Sequence, residues 1–279
     1  IEVTKGPTAE HSAQAVAGTI NIILRAAPRQ RQLEARVGVN YSLQRPVVNA
    51  NVTWGDRIGP FSVVLPVSTY GWRGGNETWS DRLQRDVNLA PQHLEVQGLG
   101  RWWGRGANLG PRVNWKPDNT WTLDWQTFAQ RHDFHSHGES EVQVRAGLPP
   151  PSVHDVSDNG GFWQMLRTGL SVQRRGTQGE RFEAKVGAQA SESAYRTDTN
   201  GYNAANTRTI VRVATGDSQE QVRNTTGKYS APWREAHTVA AGWDLERKRR
   251  TEARTITENG APQLVGFEGE PFRAEATRT

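Results

Sequence analysis

The densest group of chemically capable side chains in this sequence is His132-Asp133-Phe134-His135-Ser136-His137-Gly138-Glu139, three imidazoles and two carboxylates within eight positions. Imidazole and carboxylate are ligands that Zn²⁺ and Cu²⁺ accept, so His132, His135 and His137 could contact one ion if the segment curls. The spacing matches no closed metal site, and solvated loop histidines are the plain alternative. As a functional feature the cluster would be a contact point for a metal-bearing ligand, with no resident cofactor expected.

A second cluster is basic: Glu246-Arg247-Lys248-Arg249-Arg250. Such a run suits lipopolysaccharide phosphates or the steering of an anionic solute, with a solvated strand end as the alternative. A nucleic-acid partner would require aromatic rings stacked on the same face, and none is expected. The sequence carries no nucleophile elbow, phosphate loop, His-Glu-x-x-His or spaced carboxylate pair, so enzymatic function is not expected.

Composition narrows the elements that must hold these groups. The 279 residues include 28 Gly, 11 Trp and no Cys, are 35% hydrophobic, and carry a net charge of +5. Mean hydropathy is −0.73 and the pI is near 9.8. No apolar run approaches the roughly 20 residues of a membrane helix. A polar chain rich in Gly and Trp is either a soluble β-protein or a transmembrane β-barrel, in which alternation hides the apolar residues. Without Cys there are no disulfides or thiolate metal sites. The chain begins at Ile1 with no leader to read, and an internal fragment of an exported protein is the expectation.

Alternation starts at residue 33. Leu33, Ala35, Val37, Val39, Tyr41 and Leu43 share one parity, with Glu34, Arg36, Gly38, Asn40 and Ser42 between them. The pattern repeats in Val48–Trp54, Phe61–Val67, Leu109–Trp115, Trp121–Trp125, Leu166–Val172, Phe182–Ala188 and Val239–Leu245. Period-2 alternation predicts strands with one apolar face. Tight turns near Asp56, Lys116, Gly176 and Arg234 recur about every 60 residues. Long polar connections are expected at 73–93, 133–161, 197–218 and from about 251 onward. Short turns alternating with long loops predict about eight antiparallel up-and-down strands, part of a larger transmembrane barrel.

Aromatic positions support that expectation. Trp54, Phe61, Trp115, Trp121, Phe182 and Trp233 lie next to the short turns, and Tyr41, Trp72, Phe128, Tyr195 and Trp243 lie about ten residues further along. Ten tilted residues span an apolar band, so two girdles are predicted. Glu34, Arg36, Arg112, Asp124, Glu183 and Lys185 would then face a lumen.

The first 24 residues, IEVTKGPTAEHSAQAVAGTINIIL, read as two short apolar strands around a compact Gly-Pro turn and a short Ala-rich segment, Ala9 to Val16. They closely resemble the end of the plug domain of TonB-dependent outer-membrane receptors. The positions that carry the resemblance are Ile1, Glu2, Val3, Lys5, Gly6, Pro7, Ala15, Ala17, Gly18, Ile20, Asn21 and Ile22. Two departures are visible: His11-Ser12 stands where the family often has Tyr-Gly, and Ala17 where a second Gly is common.

The resemblance implies a plug end at residues 1–27, a linker at 28–32, and the N-terminal part of a barrel at 33–279. It further implies a Gram-negative outer-membrane location and active uptake of a scarce bulky solute: a ferric siderophore first, then a cobalamin-like complex or an oligosaccharide. Implied partners are outer-membrane lipid and lipopolysaccharide, a small-molecule ligand that could be a metal chelate, and the TonB energy-transducing complex, acting through an N-terminal region this chain does not include. A passive porin-like channel and a soluble all-β binding or adhesin module are the rival readings. The motif at the start separates receptor from porin, and the girdles separate both from the soluble module.

Overall fold

The computed structural model describes residues 2–4, 19–21, 30–43, 45–85, 88–234, 237–263 and 272–278. Two short strands, β1 (Glu2–Thr4) and β2 (Thr19–Asn21), pair antiparallel with Val3 opposite Ile20. Of the motif positions, Ile1, Lys5, Gly6, Pro7, Ala15, Ala17, Gly18 and Ile22 lie outside the described residues, as does the rest of the Ala-rich stretch.

All remaining strands belong to one antiparallel sheet. They are β3 (Gln32–Ser42), β4 (Arg45–Ile58), β5 (Phe61–Arg85), β6 (Pro91–Leu109), β7 (Arg112–Trp115), β8 (Trp121–Ala146), β9 (His154–Arg175), β10 (Arg181–Tyr202), β11 (Arg208–Trp233), β12 (His237–Glu258), β13 (Ala261–Pro262) and β14 (Phe272–Arg278). Each path pairs with its sequence neighbour, an up-and-down meander. β6 and β7 form one path interrupted at Gly110-Pro111, where proline has no N–H for the ladder, and β13 and β14 both pair with β12. With each of those two pairs taken as one path, the sheet has ten paths among the described residues, against the expected eight or so. β3 and the β13/β14 path are its two edges, and no pairing joins them among the described residues.

Tight turns are present at 116–120 and 176–180 as predicted. The one expected around Asp56 lies three residues on, at Gly59-Pro60, because 55–58 continue β4, and residues 235–236 of the fourth lie outside the described residues. Gly59, at φ 60, opens the two-residue turn between β4 and β5, a conformation glycine adopts without steric cost. Asp118 organises the β7–β8 turn, its Oδ1 accepting from Thr120 N (2.7 Å), Thr120 Oγ1 (2.6 Å) and Trp121 N (2.9 Å). These bonds hold the Asp118 carboxyl below its usual pKa, the Thr120 hydroxyl contributing most.

The long polar connections are corrected. Residues 73–85 continue β5, 133–146 continue β8, 197–202 end β10, 208–218 begin β11, and 251–258 end β12. Among the described residues the connections left in these stretches are short, at 88–90, 147–153 and 203–207, and residues 264–271 lie outside the described ones. Gln32, assigned to the linker, already belongs to β3. β8 and β11 each run 26 residues, roughly 85 Å of chain at about 3.3 Å per residue.

The sheet has almost no dry interior. Leu94, 4% exposed, is the one buried apolar side chain among the described residues. Val37 is 74% exposed and Val186 59%. The accessible surface of 19915 Å² far exceeds the roughly 12,000 Å² that a compact soluble monomer of this mass would show. No described helix is long and apolar enough to cross a membrane.

Candidate functional site

Residues directly opposite one another on paired strands project to the same side of a sheet, so register sorts every side chain onto one of two faces. On one, the row Val63–Val113–Trp125–Leu170–Val186–Thr225–Leu245 crosses from β5 to β12. With the rows on either side it makes an apolar band, nine residues deep in β8 (Trp121 to Ala129) and in β10 (Phe182 to Ala190). Beyond that depth the same face turns charged: Arg73, Arg105, Arg131, Glu192, Arg223 and Arg247 come next on their strands. This is the banded face.

All six turn-side aromatics, Trp54, Phe61, Trp115, Trp121, Phe182 and Trp233, lie on the banded face. Phe61 and Trp115 stack at 5.8 Å, and the Arg174 guanidinium sits 5.4 Å from the Trp121 ring. The second predicted girdle divides. Tyr41 and Trp243 are on the banded face, whereas Trp72, Phe128 and Tyr195 project from the opposite one. Distance from a turn fixes height along a strand, but odd or even offset decides the face.

The opposite face begins polar. Glu34, Arg36, Arg112, Asp124, Glu183 and Lys185 all lie on it, in agreement with their parity. Asn114 donates to Asp124 at 2.6 Å. Further along, this face changes character. One register row reads Trp72–Gly104–Phe134–Gly161–Tyr195–Gly216, aromatic and glycine in strict alternation across β5, β6, β8, β9, β10 and β11. A methyl group on Gly104 would overlap the Trp72 indole, and one on Gly216 would overlap Tyr195. The Trp72, Phe134 and Tyr195 rings therefore lean over their glycine neighbours, in the space that a side chain there would fill.

The adjacent row adds Tyr70, His132 and Trp163. Ring centroids run Tyr70 to Trp72 at 5.8 Å, Trp72 to His132 at 5.6 Å and His132 to Trp163 at 5.4 Å, a continuous aromatic path. Gln130 donates to the Tyr70 hydroxyl at 2.7 Å. A cavity of about 320 Å³ lies at the β10–β12 end, lined on this face by Trp163, Ser193, Tyr195, Ser218, Arg250 and Glu252. A second hollow, on the banded face beside Arg73, Trp103 and Arg105, opens where β4 stops pairing with β5 at Ala50.

The histidine cluster is corrected by the same parity. His132 belongs to the aromatic path, whereas His135 and His137 project from the banded face, so the three cannot meet at one ion. His135 stacks on Trp103 at 5.8 Å. Both ring nitrogens of His137 are engaged, Nδ1 with Asp158 at 2.7 Å and Nε2 with Glu139 at 2.9 Å. The Asp158 bond first and the Glu139 bond second raise the His137 pKa, because both favour the imidazolium. Among the described residues no group of three or more His, Asp or Glu side chains is placed to hold a metal.

The basic run is likewise split. Arg247 and Arg249 lie on the banded face, Lys248 and Arg250 on the other. Arg247 pairs with Glu275, Lys248 with Glu220 at 2.8 Å and Arg250 with Glu252 at 2.8 Å, so the run is no free basic patch.

Comparison with family models, with curated proteins and with solved structures gives no match. The functional reading therefore rests on the geometry above and on the N-terminal motif.

Proposed function

We propose that this chain is the end of a plug and the N-terminal part of the barrel of a TonB-dependent outer-membrane receptor, which takes up a scarce bulky solute. The observation that carries the reading is the apolar band: about ten tilted residues deep, lined at the turn side by six aromatics, and ended at the other side by charge. An outer-membrane strand needs that depth to cross the hydrocarbon layer. A soluble sandwich would bury such a face against a second sheet, yet none of its Val and Leu side chains is buried among the described residues, and Val186 is 59% and Leu170 42% exposed.

In this reading the banded face meets outer-membrane lipid, and the arginines beyond the band stand at the height of lipopolysaccharide phosphates. The opposite face lines the lumen, where the charges of β3, β8 and β10 hold polar groups of a plug through wet, exchangeable contacts. Strands that continue past the band form a tall extracellular rim. The N-terminal Ile-Glu-Val and Ile-Asn-Ile segments favour a plugged receptor over an open porin. Energy would come from the TonB complex.

The test is cellular. Bacteria producing the protein should carry it in the outer-membrane fraction, and uptake of its solute should stop when the TonB complex is deleted. Recovery of the protein as a detergent-free soluble monomer would contradict the proposal.

A further inference from the structure

We infer that the aromatic and glycine lattice of the lumen-side face is a binding track for a neutral oligosaccharide; this rests on the reading of that face as lumen. Three observations converge on that chemistry.

First, the rings are held in place by the glycines beside them. With glycine at every second strand of the row, Trp72, Phe134 and Tyr195 recur at about 10 Å, twice the strand spacing. From Trp72 to Tyr195 the rings span four strand intervals, about 19 Å. Aromatic rings at a repeating interval suit a ligand built of repeating rings, whose C–H faces stack on aromatics.

Second, from β5 to β10 the wall around the rings is polar but uncharged, and charge enters it only at Glu220 on β11 and on β12. On this face, β5 from Tyr70 to Ser80, β8 from Phe128 to Ser140, β9 from Met165 to Ser157 and β10 from Gly187 to Thr199 contain no Asp, Glu, Lys or Arg. At the same height the banded face carries Arg101, Arg105, Arg131, Asp133, Arg196 and Asp198. An anionic metal chelate or a phosphorylated solute would call for an arginine or lysine clamp. The cations nearest the track, Lys248, Arg250 and Arg254, are already paired to Glu220 and Glu252.

Third, hydroxyl and amide groups border the rings. The row above holds Ser136, Asn159 and Thr197, joined by Asn159 to Ser136 at 3.5 Å and Thr197 to Asn159 at 3.1 Å. Each keeps donor or acceptor capacity after these bonds. Ser193 and Ser218 flank the 320 Å³ cavity beside Trp163 and Tyr195, at the lower end of small-molecule site volumes. Stacking faces edged by such groups are complementary to sugar rings and their hydroxyls.

The test uses the chain refolded in detergent micelles, with circular dichroism confirming its strand content. An array of neutral and acidic glycans is screened, and the best neutral glycan is titrated by calorimetry beside ferric citrate. We expect saturable binding of a neutral glycan, weakened about tenfold or more by Trp72→Ala and by Trp163→Ala, as loss of about 1.4 kcal/mol of stacking implies. Trp163→Phe should restore most of it, and Trp103→Ala on the banded face should leave it unchanged. Failure of the folded chain to bind any neutral glycan, glycan binding indifferent to Trp72 and Trp163, or ferric citrate binding with the same Trp dependence would each overturn the inference. Vesicle insertion, measured separately, reports on the barrel reading. Insertion without glycan binding defeats this inference alone, and glycan binding without insertion defeats the barrel.

Discussion

The indole of Trp72 on β5 lies directly across from Gly104 on β6, in a space that a single methyl group at Gly104 would occupy. The Asp133 carbonyl oxygen would stand 2.6 Å from that same methyl, so the site is closed on two sides. Gly161 is closed in the same way, because an added Cβ would meet the Ala194 carbonyl oxygen and approach Phe134 Cζ to 2.7 Å and Tyr195 Cα to 2.9 Å.

Substitution of these glycines should therefore displace the rings. Gly104→Ala and Gly161→Ala are expected to cost about 1–3 kcal/mol, the usual penalty of overpacking, and to weaken the near-UV circular dichroism of the aromatics. Gly138→Ala, on the same face with open space around its Cβ, should change neither. Urea titration in micelles gives the stability difference. Equal losses at all three positions would show that the lattice is not what constrains Gly104.

The band makes a face-specific demand. Leu170→Arg places a guanidinium in the middle of the apolar row and should cost about 2–4 kcal/mol of folding into lipid vesicles. Its chain neighbour Ser171 faces the other way, and Ser171→Arg should cost far less. Reversed or equal costs would invert the face assignment.

His137 should titrate above the ordinary histidine value of about 6.5, because Asp158 and then Glu139 stabilise its charged form. A raised folded pKa means that the stabilisation is complete below the unfolded value. It then fades as pH climbs through the folded one. Nitrogen-15 NMR of the imidazole checks this, and Asp158→Asn should bring the value down. A His137 that titrates no higher than an exposed reference histidine would contradict the two short contacts.

Zinc titration should detect no site shared by the three histidines. His132 and the pair His135 and His137 leave the strand on opposite sides, so a His135→Ala, His137→Ala variant should bind Zn²⁺ as weakly as the parent. Stoichiometric binding lost in that variant would require a different backbone.

Half of each strand was legible in the sequence, and the reason is physical. Next to the short turns one face is apolar and the other polar, so Val186 alternates with Lys185 and Leu123 with Asp124, and period-2 patterning is strong. Beyond the band polar residues stand on both faces, as in Glu192-Ser193 and Ser218-Gln219, and the alternation that identifies a strand is lost. Those segments read as loops although they complete β10 and β11. The aromatic and glycine lattice was hidden for another reason. Phe134, Gly161 and Tyr195 come together only through the register of three separate strands, which no local pattern encodes. The histidine cluster failed on parity alone: positions 132 and 135 differ by an odd number, so an extended chain separates them.

The central claim is that the banded face contacts lipid, and the absence of cysteine allows a direct measurement. Spin labels introduced singly through Val186→Cys and Lys185→Cys sit at adjacent positions on opposite faces of β10. In lipid vesicles, the Val186→Cys label should be accessible to oxygen and shielded from a water-soluble nickel chelate, and the Lys185→Cys label should show the reverse. Equal access of the chelate to both labels, or shielding at Lys185→Cys instead, would contradict the account.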